Sequence, residues 1–501
     1  MKHLRILFLC LICLASSLHA QPAPNSALSS ELFYELLLGE LLVINDERTE
    51  ALALYLDAAR KEPSDQLFER AVRLALQSRE GRVARQIAQE WGKELPTSAL
   101  AQNYSFQLLF ASGQYANAMQ PLREFLRLSP VAERSSVILS LSSYFSQAPD
   151  KRAAASELER LLDPYTKVPV TEAAARLTTA RSMVDAARFN DALAQLTRLT
   201  QTFPSQIDAW LLQGALQLQE NQFSVAEASL NQFLVLAKEM DLPSNHAGYV
   251  QAYLNLAQLA ENRKDFEAAQ NWLSKIEDEK ERLTAQVRRA SILAKQGKLP
   301  EARALIAQLP EPTQAQARAK LLAEVHLLRD SKQFAEAITL LGNALTSQPQ
   351  DADLMYEMST LYEKDKAYEK MEVLLREIMA LRPDSPNAYN ALGFSLVDRG
   401  VRLEEGKKLI EQALKITPAD PYIIDSLAWA EFRLGRLDEA LKILQNAYKI
   451  RADAEIGAHM GEVLWQLNRK DEALKIWKES QAISADNETL IETLNRLGAK
   501  L

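Results

Sequence analysis

The chain has 501 residues, with 58 basic and 66 acidic side chains and a formal net charge of −8. Ordinary domains run to roughly 100–200 residues, so this is several domains or one repetitive structure. Only 15 glycines and 19 prolines supply turns, which argues against an all-β fold. The 47% hydrophobic and 25% charged content argues against disorder, and the acidic balance disfavours nonspecific binding to nucleic acid or anionic lipid.

At the start of the chain, Lys2 and Arg5 precede an apolar run over residues 6–15, followed by Leu18, His19 and Ala20. The run is too short to cross a bilayer core of roughly 30 Å, but it suits a secretory signal peptide over residues 1–20. Cleavage after Ala20 starts the mature chain at Gln21, and residues 21–31 read as a short flexible leader. Cys10 and Cys13 leave with the signal. The mature chain is then expected to be exported and soluble, without a disulfide, thiolate nucleophile or cysteine metal ligand. Bulky Leu9 and Ile12 before the two cysteines speak against a lipidated first residue.

Prolines mark the period of the chain beyond the leader. Pro63, Pro96 and Pro130 lie 33 and 34 residues apart, and Pro349, Pro383 and Pro418 lie 34 and 35 apart. Each ends an amphipathic stretch, because the residue before proline is pushed out of the helical region. A 34-residue period with two helices per unit is the tetratricopeptide (TPR) pattern. In that pattern positions 8, 20 and 27 are small, where helices approach, and positions 4, 7, 11, 17 and 24 are large; residues 352–385, 173–206, 207–240 and 32–65 keep this register. About thirteen units succeed one another, an N-terminal array over 32–249 and a C-terminal array over 250–487. The predicted fold is an all-α TPR superhelical solenoid, with breaks in register near 164–172, 237–249 and 307–317 and a polar capping helix over 488–501.

Little in the sequence suggests catalysis. It holds no glycine-rich phosphate loop, no GxSxG elbow and no HExxH helix. His246, His326 and His459 are far apart; His326 and His459 read as solvated or groove-facing. The pairs Glu404-Glu405 and Asp471-Glu472 fall at second-helix starts, where acidic residues favour the helix dipole. The chain is therefore expected to be a non-enzyme with no catalytic residue, cofactor or metal site.

What remains is surface. In a TPR solenoid the first helices line a groove, and the stripe at positions 2, 5, 9 and 12 makes one helical face. In the last four units that stripe supplies the protein-binding candidates Tyr356, Asn387, Asn390, Phe394, Tyr422, Asp425, Trp429, Phe432, Glu462 and Trp465. Aromatic residues are enriched at binding hot spots; the competing reading is that positions 9 and 12 pack partly against the adjacent helix. Trp210 and Trp477, at positions 4 and 24, read as core. A mixed apolar and acidic groove suits a helix or extended peptide with basic or apolar anchors.

Residues 390–400 (NALGFSLVDRG), 420–429 (DPYIIDSLAW) and 460–465 (MGEVLW) resemble TPR proteins of the Gram-negative envelope, the LbcA-type adaptors of a carboxyl-terminal processing protease. The specific resemblance covers roughly residues 350–480. It implies a periplasmic scaffold, at the inner face of the outer membrane, that brings a serine protease to murein hydrolases. The expected partners are those proteins, with no nucleic acid, no transmembrane segment and at most peripheral association with the outer membrane. Those adaptors carry a lipid-anchoring cysteine, and no matching one stands in this sequence. A second reading is a TPR assembly scaffold for envelope polysaccharide or outer-membrane protein export.

Overall fold

A computed structural model describes residues 29–501; the expected signal peptide and all but the last residues of the expected leader lie outside the described residues. The chain divides into two compact units, one up to Arg263 and one from Lys264. Among the described residues every regular element is a helix.

The first unit holds α1 (Ser30–Ile44), α2 (Arg48–Lys61), α3 (Asp65–Gln77), α4 (Gly81–Glu94), α5 (Ala99–Ala111), α6 (Tyr115–Leu128), α7 (Arg134–Phe145), α8 (Lys151–Leu162), α9 (Pro169–Asp185), α10 (Phe189–Thr202), α11 (Ile207–Gln219), α12 (Phe223–Glu239) and α13 (Ala247–Asn262). A 3-10 turn, Asp163–Lys167, fills the first register break. The second unit holds α14 (Phe266–Ser274), α15 (Glu279–Lys295), α16 (Leu299–Ala307), α17 (Gln314–Asp330), α18 (Phe334–Ser347), α19 (Ala352–Lys364), α20 (Tyr368–Leu381), α21 (Pro386–Asp398), α22 (Leu403–Ile416), α23 (Pro421–Arg433), α24 (Leu437–Ile450), α25 (Ala454–Gln466), α26 (Lys470–Ile483) and α27 (Glu488–Leu497).

Local chemistry sets the helix ends. α2, α4, α6, α18, α20 and α22 each stop two residues before a period-marking proline. The residue between is extended, as at Glu62 (ψ 84°), Ser129 (ψ 140°) and Arg382 (ψ 81°), because proline excludes the helical region there. First helices end differently, in a left-handed residue closed by a long backbone bond. After α19, Lys366 has φ 60° and the Ala367 N–H donates to the Tyr362 carbonyl at 2.8 Å; after α23, Gly435 has φ 82° and the Arg436 N–H donates to Glu431 at 2.9 Å. Asp46, Arg79, Ala187, Asn221, Lys332 and Asn468 take the same left-handed turn, so the chain makes its hairpins with few glycines. The turn between α21 and α22 carries one extra residue, and both Gly400 (φ 71°) and Arg402 (φ 49°) are left-handed there.

Within each unit successive hairpins stack as a solenoid, with separate buried clusters strung along the chain. The register predicted from the prolines holds at position 20, where Ala51, Ala118, Ala192, Ala226, Ala269, Ala302, Ala337, Ala440 and Ala473 are all fully buried. Trp477 is fully buried against Gly461, whose absent Cβ would stand 2.1 Å from the indole Nε1. Trp210 departs from the expectation: it is half-buried at the side of the Phe233 cluster, and its indole N–H donates to the Pro204 carbonyl at 2.8 Å.

Two expected boundaries move. The division falls between Arg263 and Lys264 rather than at 249/250, because α13 packs back on α11 and α12 whereas α14 packs on α15. Helix α1 begins at Ser30, inside the expected leader, with the Ser29 hydroxyl accepting the Leu32 N–H at 3.1 Å. The last helix, α27, spans Glu488–Leu497; the Asn487 side chain caps its start and left-handed Gly498 ends it.

Candidate functional site

The candidate residues sit on the first helices of four successive hairpins, α19, α21, α23 and α25. α21, α23 and α25 touch one another in turn, and α27 packs on the last of them. That contact decides which stripe residues stay available. Asn387 and Tyr422 are exposed, Tyr422 at 40%, while Tyr356, Asn390, Phe394, Phe432 and Trp465 are half-buried. Asp425, Trp429 and Glu462 are 5%, 6% and 2% exposed; the expectation that they present themselves in an open groove is corrected. Positions 5 and 9 of one first helix meet the next first helix, so their side chains are taken into the seam.

The seam is polar as well as aromatic. His459, expected to be solvated or groove-facing, is instead buried, and its Nδ1 stands 2.9 Å from the Asp425 carboxylate. Burial disfavours the imidazolium, yet the charge and hydrogen bond of Asp425 outweigh it, with help from Glu455 and Glu462, and raise the His459 pKa. The imidazole stacks on Trp429 at 4.3 Å, Trp429 stacks on Phe432 at 4.7 Å, and Phe394 from two hairpins earlier lies 6.3 Å from the imidazole. The Trp429 indole N–H donates to Asp398 at 3.1 Å. A cation against aromatic faces gains from the ring quadrupole, so the ring stack and Asp425 favour the same protonated state.

α27 closes the far side of this face. Leu490 and Thr493 are buried against the last core cluster, and Arg496 donates to Glu462 at 2.6 Å. Glu488, at the start of α27, reaches within 3.9 Å of Lys364 at the end of α19. Two carboxylates on the same face are pushed up by burial, Glu363 and Glu455. Around them the rim stays polar: the Tyr422 hydroxyl meets Asp453 at 3.3 Å, Arg451 lies over the Tyr422 ring, and Lys470 lies over Trp465. The Asn390 side-chain oxygen is buried with no hydrogen-bond partner.

Family models described as tetratricopeptide repeat match residues 177–242, 328–393 and 422–455. These segments are tetratricopeptide repeats. The chain is also 35% identical over 211 residues to the TPR repeat-containing protein PA4667 of Pseudomonas aeruginosa; the match covers 42% of this chain and 36% of that relative, about a third of its length. Among solved structures, a TPR protein of Parabacteroides merdae is 16% identical and covers 49% of this chain and 98% of its own, with TM-score 0.37. The Cut9–Hcn1 hetero-tetramer of the APC/C is 14% identical, covering 93% and 96%, with TM-score 0.34. A thermophilic TPR protein of Thermus thermophilus is 20% identical, covering 35% and 97%, with TM-score 0.33. No matching model describes a catalytic family.

The TPR period also explains what stripe-by-stripe reading missed. Asp425 with His459, and Glu462 with Arg496, are each 34 residues apart. An acid and a base one period apart face each other across the seam, and that signal was present in the sequence. The availability of Tyr422 and the burial of Trp429 were not: they depend on how closely α23 approaches its neighbours.

Proposed function

We propose that this protein is a non-catalytic periplasmic TPR scaffold that binds a carboxyl-terminal processing protease and presents cell-wall hydrolases to it. The observation that carries the reading is the row of exposed and half-buried aromatic and amide side chains, Tyr356, Asn387, Phe394, Tyr422 and Phe432, on three successive first helices. Aromatic side chains of this kind anchor protein partners at low entropic cost. The signal-like residues 1–20 and the resemblance over residues 350–480 support the location and the partner class.

A pull-down from periplasmic extract tests it, comparing the mature chain with a variant carrying Asn387→Ala and Tyr422→Ala at two exposed positions. Capture of such a protease and a murein hydrolase, with one of them lost in the variant, is the expected result. Capture of polysaccharide or outer-membrane export components alone would overturn it in favour of an envelope assembly scaffold.

A further inference from the structure

A cleft of about 620 Å³ opens in the first unit where α4, α5 and α6 meet. Gln102 and Ser105 of α5 form its floor; Gln89 and Lys93 of α4 and Asn117 and Gln120 of α6 form its sides. Gln102 and Ser105 stand at positions 4 and 7 of the repeat 99–132, where TPR units place large residues that fill the gap between hairpins. A carboxamide and a hydroxyl in their place leave that gap open. Arg176 and Thr179 hold the same two positions in the repeat 173–206, and they too line a cleft.

Of the two polar side chains at the floor only one is spent on the fold. Ser105 donates to the Ala88 carbonyl at 3.0 Å, but the Gln102 side chain, 8% exposed, has no hydrogen-bond partner and opens on the cleft. At a packing position of this kind an apolar residue would serve the fold better. Gly92 makes room for it: a Cβ there would lie 3.3 Å from Gln102 Nε2. On the other side Pro121, inside α6, has no N–H to donate to the Asn117 carbonyl, so a backbone acceptor is left over beside the Asn117 and Gln120 carboxamides.

We propose that this cleft binds an extended peptide segment through its main-chain amide groups, with an acidic residue of the peptide against Lys93. A carboxamide offers one acceptor and two donors in a plane, so it pairs with the N–H and C=O of a peptide group; the cleft supplies several such side chains, Gln89, Gln102, Asn117 and Gln120 among them. Among the residues lining it Lys93 is the one charged group; Glu90, which feels its charge, lies outside the lining and is bonded to Arg60. Sugar rings are held by aromatic faces as well as by hydrogen bonds, and no aromatic ring lines this cleft. The volume is that of ordinary ligand clefts. The second helices α4 and α6 form its walls, so occupancy here and capture of a protease on the first-helix stripe of the other unit are separate readouts.

Saturation-transfer NMR on the full chain tests this with three probes: the blocked peptide acetyl-Ala-Asp-Ala-Ser-Ala-amide, its counterpart with Lys for Asp, and the trisaccharide of N-acetylglucosamine. The Asp peptide should receive at least about fivefold more saturation than the Lys peptide. Its signal should vanish with Gln102→Leu and fall severalfold with Gln120→Ala, an exposed rim change that leaves packing alone. Signal unchanged in both variants, equal signal from the two peptides, or a Gln102-dependent signal from the trisaccharide alone would each overturn the proposal. If Gln102→Leu fails to fold by circular dichroism, the Gln120→Ala comparison decides.

Discussion

Two ionisable side chains give the second unit opposite responses to pH. Glu372 accepts hydrogen bonds from Arg402 and Arg376, which hold its carboxyl at about 2 against the cost of burial. A depressed carboxyl stabilises the fold above its ordinary pKa and loses that contribution as pH falls through the folded value. Glu372→Gln should therefore lower the melting temperature at pH 6 and flatten its decline between about pH 4.5 and pH 2, as calorimetry across that range would register. His459 works in the other sense. Its raised pKa supplies stability that is fully present below the ordinary imidazole value of about 6.5 and is lost as pH rises through the folded value. Melting followed from pH 6 upward should show a decline that His459→Gln removes. A third residue carries backbone strain instead: Ala187 sits at φ 55°, and Ala187→Gly should raise stability by about 0.5–1 kcal/mol in denaturant unfolding.

At the scale of helices, the closest approaches are made by small residues. A Cβ on Gly461 would meet Trp477, and Cβ atoms on Gly393 and Gly406 would each come within 2.7 Å of the other's carbonyl oxygen. Gly461→Ala should cost about 1–3 kcal/mol by overpacking, and Ala440→Trp, at a fully buried position 20, more; unchanged thermal unfolding of Ala440→Trp would sink the register. Helix ends and this register were legible in the sequence because proline and alanine impose them locally, residue by residue. The candidate site was legible only in part. Asn387 and Tyr422 lie on the surface that the stripe implies, but Asp425, Trp429 and Glu462 are withdrawn by contacts between α23, α25 and α27. Those contacts are tied by the Asp425–His459 and Glu462–Arg496 bonds between successive repeats, which a single helix's periodicity does not encode.

For the molecule as a whole, the buried clusters are several and each joins neighbouring hairpins only. Stability is then close to a sum of repeat and nearest-neighbour terms, and a single all-or-none transition is not expected of 501 residues in two units. Calorimetric unfolding should show more than one transition, and proteolysis under native conditions should cut first near Arg263–Lys264. The seams between hairpins also bear on how such a gene can change. Each seam is written by residues one period apart, as Asp425 is from His459 and Glu462 from Arg496. Duplicating or deleting one whole period preserves every complementary pair beyond the join, whereas a change of about half a period sets first helices against second ones. Length in this chain is therefore free to vary in steps of a repeat, while smaller changes are confined to the turns, as the extra residue between α21 and α22 is.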